Sequence, residues 1–353
     1  MHEATKGMRL LVAANLTPFL HGGAQAHTQG LIRALRAQGH QVECLQLPFA
    51  FFPNSQVSQA MRHALDLDMT APSGQSIDRL IGLQFPAYGV QHSNAVAWVM
   101  HQHRAVYDLY HLQSGPDSEL KALQDKVKAF DTKALAPLAA SQRLFANSFC
   151  VANRLQQFNG LKARPLYHPP PEAERFFCAP AENYFFFPSR FETLKRQHLV
   201  IEAARLMRNS AVLVLAGEGG QWPQAQEQVA RLGLAHRVKL LGAIRPEEKW
   251  VWMSRSLAVC YPPFQEDYGY VTLEAMLASK PVITCSDSGG PLEFVQQEET
   301  GLVVEPTAQA LADALDRLAA NKSQAAEMGR VGRQVYEQKG IGWDGVVQTL
   351  LEA

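Results

Sequence analysis

The fold class is decided by residues 8–47, which have the sequence MRLLVAANLTPFLHGGAQAHTQGLIRALRAQGHQVECLQL. This stretch contains four segments in order: an apolar run over 8–14, a loop with Gly22 and Gly23, a segment with helical spacing of apolar residues over 24–38, and a second apolar run over 42–47. A strand, a helix and a second strand in this order predict a βαβ unit, which requires a parallel sheet.

The same alternation fills the C-terminal half of the chain. Strands are predicted over 184–187, 212–216, 238–241, 257–260, 282–284 and 302–304, and helices over 196–207, 222–232, 246–254, 271–278 and 308–320. This pattern predicts a second doubly wound α/β domain. Between the two patterns, residues 49–80 are polar and predict only a loop and a short helix, before strand-like runs at 95–100 and 143–146.

A proline-rich segment separates the two patterns. Pro165, the triplet 169–171 and Pro180 form a stiff connector of the kind that joins domains. A chain of 353 residues also exceeds the usual size of one core, so we expect domains over 1–175 and 176–337. Ligands of such sheets bind at the carboxyl ends of the strands, so two facing domains are expected to form one cleft between them.

Charge and cysteine content narrow the class of protein. The 33 basic residues balance the 33 acidic residues, so no overall field attracts nucleic acid, and no nucleic-acid partner is predicted. The five cysteines are scattered without a Cys-x-x-Cys pair, which indicates reduced thiols of a cytoplasmic protein. No run of about 18 apolar residues occurs, although peripheral contact with a membrane stays open.

The strongest indication of chemistry lies in residues 262–276, PPFQEDYGYVTLEAM. Glu266 is expected in a loop that leaves a strand, Glu274 in the first turns of the next helix, and Gly269 where the backbone approaches a ligand. Amides at a helix start suit a phosphate, whereas carboxylates suit the hydroxyls of diols, and a nucleotide sugar offers both. Alternatively, Glu274 is a charge favoured by the helix dipole and Glu266 a solvated loop residue. These two residues alone leave both interpretations open.

Glu266 and Glu274, with seven residues between them, resemble the E-x7-E region of retaining glycosyltransferase family four, whose GT-B fold has two facing Rossmann-like domains. The similarity continues through 275–283 (AMLASKPVI), 288–293 (SGGPLE), 189–195 (SRFETLK), 216–219 (AGEG) and 242–247 (GAIRPE). The N-terminal half matches more loosely, through 22–24 (GGA) and 98–104 (WVMHQHR).

The resemblance implies a role for each matching residue of the C-terminal half. Arg190 and Lys195 would hold the donor diphosphate, Glu274 the ribose and Glu266 the donor sugar. The remaining implied donor contacts are Tyr268, Gly269 and Tyr270 near the diphosphate and Ile244 near the base. Because fixed cations can stabilise a diphosphate leaving group as a metal does, no metal and no cofactor are expected beyond the nucleoside diphosphate sugar as co-substrate.

In the N-terminal half the same resemblance is weaker. It implies that the loop with Gly22 and Gly23 closes on the distal phosphate and that His101 lies beside the transferred sugar. His103 could equally be the matching histidine, and Arg104 would face acceptor or phosphate. A further D-x-D pattern at 66–68 lacks the context of a metal motif, because carboxylates two residues apart occur by chance.

Together these residues predict a retaining glycosyltransferase that moves a sugar from a UDP- or GDP-sugar to an unidentified acceptor hydroxyl in glycan, glycolipid or glycoconjugate biosynthesis. Glu266 would either orient the sugar for front-face attack or act as the nucleophile of a double displacement. Two alternatives are an epimerase of the same fold and a non-catalytic sugar-nucleotide-binding protein. The resemblance also implies that the C-terminal helix, about 338–353, packs back on an acceptor-binding first domain, leaving the second domain to bind the nucleotide sugar.

Overall fold

A computed structural model describes residues 7–19, 22–112 and 118–353 of the chain. These residues divide into two compact units. The first consists of the described residues up to Pro171 together with Gly342–Ala353, and the second of Glu172–Ile341. The division therefore falls inside the proline-rich segment. Across the described ranges, no helix is long and apolar enough to cross a bilayer.

Six strands of the first unit, counted over its described residues, form one parallel sheet. They are β1 (Arg9–Leu16), β2 (Gln41–Pro48), β3 (Arg79–Gly82), β4 (Ala95–Val99), β5 (Leu144–Ala146) and β6 (Arg164–Pro165), and the helices between them are α1 (Gly23–Ala37), α2 (Asn54–Asp66), α3 (Ser118–Ala140) and α4 (Phe149–Asn159). Across the sheet the strands lie in the order β2-β1-β3-β4-β5-β6. The chain adds β2 on one side of β1 and the later strands on the other, so the order of addition reverses between β1 and β3. This reversal is the point where doubly wound sheets bind ligands.

Both faces of the first sheet are covered, as the side chains of β4 illustrate. Ala97 and Val99 belong to one apolar cluster, whereas Val96 and Trp98 belong to another. Successive residues of a strand point to opposite faces, so the two clusters lie on opposite sides of the sheet. The continuous apolar runs of the sequence are the result of this two-sided burial.

The prediction for residues 49–80 was wrong in one respect. The segment contains the 13-residue helix α2, and it ends in the buried strand β3, which pairs with both β1 and β4. The pattern of apolar residues does not reveal β3, because the strand has only four residues and the first of them is charged. Arg79 is tolerated there because its guanidinium donates to the carbonyls of Leu350 and Ala353 and to the side chain of Asn94.

The second unit, described throughout, repeats the same plan. Its strands are β7 (Tyr184–Pro188), β8 (Val212–Ala216), β9 (Val238–Leu240), β10 (Val259–Cys260), β11 (Val282–Cys285) and β12 (Gly301–Val304), and its helices are α5 (Gln197–Leu206), α6 (Trp222–Arg231), α7 (Pro246–Arg255), α8 (Tyr270–Leu277), α9 (Ala308–Ala320) and α10 (Lys322–Gln338). All pairings are parallel, in the order β12-β11-β10-β7-β8-β9. The chain adds strands to one side through β7, β8 and β9 and to the other side through β10, β11 and β12, so the order of addition reverses between β7 and β10.

The last helix, α11 (Trp343–Glu352), belongs to the first unit although it follows the second in sequence. Its Val346, Val347 and Leu350 are buried in the same cluster as Trp98. Gly30 of α1 permits this packing, since a Cβ at that position would lie 2.3 Å from the Trp343 ring. A bulkier residue at Gly30 would push α11 away from α1.

Candidate functional site

The residues predicted to bind the donor follow two neighbouring strands of the second unit. Arg190 and Lys195 lie in the segment after β7, and Glu266 lies in the segment after β10. These two strands are adjacent and parallel, so their carboxyl ends meet at the same edge of the sheet. The predicted residues therefore converge on the topological switch point of the second sheet.

Lys195 and Glu266 are in direct contact at this edge. The Lys195 ammonium donates to the Glu266 carboxylate and also lies 3.3 Å from the hydroxyl oxygen of Tyr261. The two loops are joined further by the Phe264 amide, which donates to the carbonyl of Leu194 at 2.7 Å. Burial and the charge of Glu266 hold the pKa of Tyr261 well above its ordinary value, so the phenol stays protonated as a hydrogen-bond donor.

Arg190 is exposed and nearly free to meet a ligand. Its guanidinium lies 3.8 Å from the Glu192 carboxylate, and 46% of its side chain is accessible. The loop below it is held by glycines: a Cβ at Gly217 would lie 2.2 Å from the Ser189 carbonyl oxygen, and one at Gly219 would lie 2.4 Å from that of Phe191. Gly217 and Gly219 thus serve the backbone of the Arg190 loop, as expected of a turn that lines a binding edge.

The loop that carries Glu266 rests on the segment 288–290. The Glu266 amide donates to the Ser288 carbonyl at 2.9 Å, and the Gly290 amide donates to the Glu266 carbonyl at 2.8 Å. Gly289 has φ +73°, and a Cβ there would lie 2.6 Å from the Glu266 carbonyl oxygen. The Ser-Gly-Gly motif therefore fixes the backbone position of Glu266.

Gly269 begins the buried helix α8. It is the N-cap with φ +83°, a left-handed conformation that favours glycine, and a Cβ would lie 3.1 Å from Pro291. Tyr268 is buried and packs edge-on against Tyr270, with ring centroids 5.6 Å apart. The first backbone amides of a helix have no partner within the helix, so this end of α8 can receive an anion.

Glu274 is a buried carboxylate of which only one oxygen has a hydrogen-bond partner. Only 4% of it is accessible, and its Oε1 accepts a hydrogen bond from Lys249 Nζ at 2.5 Å. Its Oε2 is buried and has no hydrogen-bond partner in the described structure. A buried carboxylate oxygen without a donor is costly, which makes Glu274 a candidate contact for a ligand hydroxyl.

Two ion pairs at this edge were not predicted from the sequence: Lys249 with Glu274, and Arg196 with Asp287. Lys249 lies in the first turns of α7, five residues after the predicted base contact Ile244, which is half-buried in the loop before that helix. Arg196, with φ +61°, donates two hydrogen bonds to Asp287 at 2.7 and 2.6 Å and stacks over Phe264. This pair ties the Lys195 turn to the segment after β11.

The first-unit residues of the prediction occupy different surroundings. Gly22 is the N-cap of α1 with extended backbone, and Gly23 begins the helix, so neither has a conformation that demands glycine. Beyond β4, His101 is half-buried and lies 3.1 Å from the carbonyl of Gln102 through Nδ1. The structure leaves the proposed roles of all three untested.

His101 and His103 differ in their burial. His103 is buried and stacks on the Phe85 ring with centroids 5.3 Å apart, and burial lowers its pKa to about 4. It is a neutral core residue, which leaves His101 as the histidine accessible after β4. Arg104 forms a two-pronged pair with Asp108, at 3.0 and 2.7 Å, and so already has a counter-charge.

Within residues 7–19, 22–112 and 118–353, no group of three or more histidine, cysteine, aspartate or glutamate side chains could hold a metal ion. Asp68 of the D-x-D pattern instead accepts a hydrogen bond from the Thr70 amide at 2.9 Å.

Two parallel Rossmann-like sheets, with charged loops at the switch point of the second, define the class of GT-B-fold proteins. Sucrose-phosphate synthase from Thermosynechococcus elongatus has this fold with a TM-score of 0.76, at 19% identity and 97% coverage of each chain. HepE from Anabaena, solved in complex with UDP and glucose, gives 0.71 at 17% identity and 98% coverage of each chain.

Residues 173–335 match the family described as Glycosyl transferases group 1. Among curated proteins it is similar to the O-antigen chain mannosyltransferase C of Escherichia coli, with 24% identity over 182 residues. That match covers 51% of this chain and 48% of the relative. The chain thus spans about half the length of the curated relatives it matches.

Proposed function

We propose that the protein is a retaining glycosyltransferase that moves a sugar from a nucleoside diphosphate sugar to an acceptor hydroxyl. The observation that carries the proposal is the buried Oε2 of Glu274, which lacks a donor while Oε1 is held by Lys249. A ribose diol would supply the missing donors, because adjacent hydroxyls can bind one carboxylate together. The match of residues 173–335 to the family described as Glycosyl transferases group 1 supports the same assignment.

In this proposal the diphosphate lies along the carboxyl ends of β7 and β10. Lys195 and Arg190 bind its charge, together with the amides at the start of α8. As the bond between the sugar and the distal phosphate breaks, negative charge grows on the departing diphosphate, and fixed cations stabilise that charge most. Lys195 is held at this edge by Tyr261 and Glu266, and the diphosphate would replace Glu266 as its partner.

Glu266 is proposed to contact the transferred sugar. Its carboxylate is paired with Lys195 in the structure and would become available once a diphosphate binds the lysine. In a front-face reaction, Glu266 orients the sugar while the acceptor oxygen attacks from the side of the leaving group. In a double displacement, a covalent sugar ester forms on Glu266 and is then cleaved by the acceptor. A glycosyl-enzyme trapped on Glu266 would select the second route.

The donor is proposed to be a UDP- or GDP-sugar, and the acceptor a glycan or glycoconjugate. HepE from Anabaena was solved in complex with UDP-glucose, and the Escherichia coli relative is named a mannosyltransferase. We also propose a cytoplasmic location, which the two unbridged buried thiols of Cys260 and Cys285 on neighbouring strands support.

The test is the release of nucleoside diphosphate from a panel of UDP-, GDP- and ADP-sugars, first without acceptor and then with candidate acceptors. We expect slow hydrolysis of one donor, and loss of this activity in an Arg190→Gln, Lys195→Met variant. An exposed lysine of α3, in Lys126→Met, serves as the control. Binding of a donor without release of diphosphate under any condition would instead identify a sugar-nucleotide-binding protein. Release with inversion at the anomeric carbon would refute the retaining assignment.

A further inference from the structure

A cavity of about 460 Å³ lies in the second unit at the edge of the sheet opposite the candidate donor site. Leu257 lies two residues before β10, Pro281 directly precedes β11, and the segment 178–181 precedes β7. These positions are the amino ends of parallel strands, whereas Glu266 and Lys195 follow their carboxyl ends. The cavity is therefore separate from the predicted donor contacts, and its size suits a small organic ligand.

The charged part of the cavity is entirely basic. Its lining, all of it within the described residues 172–341, includes Lys280, Lys322 and Arg330 and no acidic residue. Lys322 and Arg330 are exposed on α10, and Arg330 is paired with Glu327, one turn away on the same helix. An anion entering the cavity would meet two exposed cations at its mouth and one fixed cation inside.

Lys280 is the fixed cation. Only 5% of the residue is accessible, and its ammonium donates to the Ala179 carbonyl at 3.0 Å. Burial lowers the pKa of Lys280, while the neighbouring thiol of Cys178 acts in the opposite direction. A buried ammonium with a backbone carbonyl but no carboxylate as partner is short of counter-charge, which a ligand anion would provide.

The position of Lys280 is set by the backbone around it. The Lys280 amide donates to the Ala275 carbonyl at 2.8 Å, which closes the end of α8. Ser279 has φ +53°, a strained conformation for a residue with a side chain, and the helix α10 packs onto it so closely that a Cβ at Gly329 would lie 2.0 Å from the Ser279 carbonyl oxygen. The ammonium is therefore held in a preorganised place.

The rest of the lining is apolar. It consists of Ala179, Pro180, Ala181, Leu257, Pro281, Ala325 and Ala326, with Ser279 and the exposed thiol of Cys178 beside them. From the basic mouth, the buried ammonium and this apolar wall, we propose that the cavity binds an amphiphilic organic anion, a carboxylate, phosphate or sulfonate on an apolar body. The assignment does not depend on the proposed glycosyl transfer.

The thiol of Cys178 makes binding measurable at this cavity. The probe is 8-anilino-1-naphthalenesulfonate, and N-phenyl-1-naphthylamine has the same aromatic body without the charge. At a sulfonate concentration about ten times its dissociation constant, alkylation of Cys178 by neutral iodoacetamide should slow roughly tenfold, since only the unliganded fraction reacts. The rate is followed by mass spectrometry of the peptide that contains Cys178, so binding elsewhere does not contribute. The neutral analogue should protect much less.

The variant Lys322→Gln, Arg330→Gln removes the two exposed cations and should abolish protection by the sulfonate. Arg205→Gln, Arg231→Gln makes the same change in net charge on exposed positions of α5 and α6 and should retain it. Three results would overturn the proposal: no protection of Cys178 in the wild-type protein, equal protection by the neutral analogue, or full protection in the Lys322, Arg330 variant with its fold shown intact by circular dichroism.

Discussion

The ammonium of Lys195 is bound to the carboxylate of Glu266, so the cation predicted for the diphosphate and the carboxylate predicted for the sugar neutralise each other. Both side chains are largely buried, with 18% and 19% accessible, so neither charge is well hydrated. A diphosphate that binds Lys195 must displace Glu266. The ion pair therefore competes with the leaving group of the proposed donor.

This competition predicts opposite effects of two substitutions on nucleoside diphosphate binding. Lys195→Met removes a cation from the diphosphate and should weaken UDP or GDP, whichever binds, by about 10- to 100-fold. Glu266→Gln removes the competing carboxylate and should leave that affinity unchanged or improve it. Isothermal titration with the sugar-free diphosphate measures both, and weakening by Glu266→Gln would show that the pair is no competitor.

Lys249 and Glu274 should behave as a coupled pair in stability. Lys249→Met leaves a buried carboxylate without its cation and should lower the free energy of unfolding by about 2–3 kcal/mol. In the double variant Lys249→Met, Glu274→Gln, no charge is left unpaired, and at least half of that loss should be recovered. Urea denaturation of the four proteins gives the coupling. Additive losses would mean that the contact between Lys249 and Glu274 contributes nothing.

Acid should destabilise the first unit through His27. This imidazole is fully buried, stacked on His168 at 4.3 Å and edge-on to Trp98 at 4.1 Å, and burial lowers its pKa from 6.5 to about 3. Between these values the unfolded chain binds a proton that the folded chain does not. The free energy of unfolding should therefore decrease as pH falls below 6.5, by about 1.4 kcal/mol per pH unit from this group.

The measurement for His27 is urea denaturation between pH 7.5 and pH 5. His27→Phe should make the profile less steep by about 1.4 kcal/mol per pH unit in this range, whereas His236→Gln, at an exposed histidine, should not. The slope that remains comes from His103 and His168, because burial also lowers the pKa of each of these histidines. An unaltered slope in His27→Phe would show that His27 takes up its proton equally in both states.

Gly289 offers a test of how the Glu266 backbone is positioned. Gly289→Ala places a methyl group 2.6 Å from the Glu266 carbonyl oxygen at φ +73°, whereas Gly340→Ala has a similar φ of +61° with nothing within 4 Å. Gly340→Ala should lose about 1–2 kcal/mol of stability from its positive φ, and Gly289→Ala should lose more because its methyl group also meets the Glu266 backbone. Only Gly289→Ala should also reduce donor turnover, by at least tenfold, because it displaces Glu266. Equal turnover in the two variants would separate the Ser-Gly-Gly motif from catalysis.

Much of the fold could be predicted because its strands are buried on both faces and appear as apolar runs between helices. Strand β3 escaped because four residues that begin with Arg79 carry too little pattern. The family motifs placed Arg190, Lys195 and Glu266 on the loops that the structure brings together after β7 and β10. Motifs of this kind consist of particular residue types at fixed spacing along the chain, so they can be recognised in the sequence alone.

The partners of those residues could not be predicted in the same way. Lys249 meets Glu274 across 25 positions, and Arg196 meets Asp287 across 91, so no local spacing connects them. One signal was present for Lys249: a cation in the first turns of a helix is disfavoured by the dipole and requires another reason to be there. The structure supplies it in the buried carboxylate of Glu274.

Glu274 is proposed to bind the ribose diol of a nucleoside diphosphate. The most direct measurement compares a nucleoside diphosphate with its 2′-deoxy analogue by isothermal titration, in the wild-type protein and in Glu274→Gln. We expect the wild-type protein to bind the ribonucleotide at least tenfold more tightly, because only its 2′-hydroxyl completes the buried carboxylate, and the preference should largely disappear in Glu274→Gln. Equal affinity for both nucleotides in the wild-type protein would contradict the account.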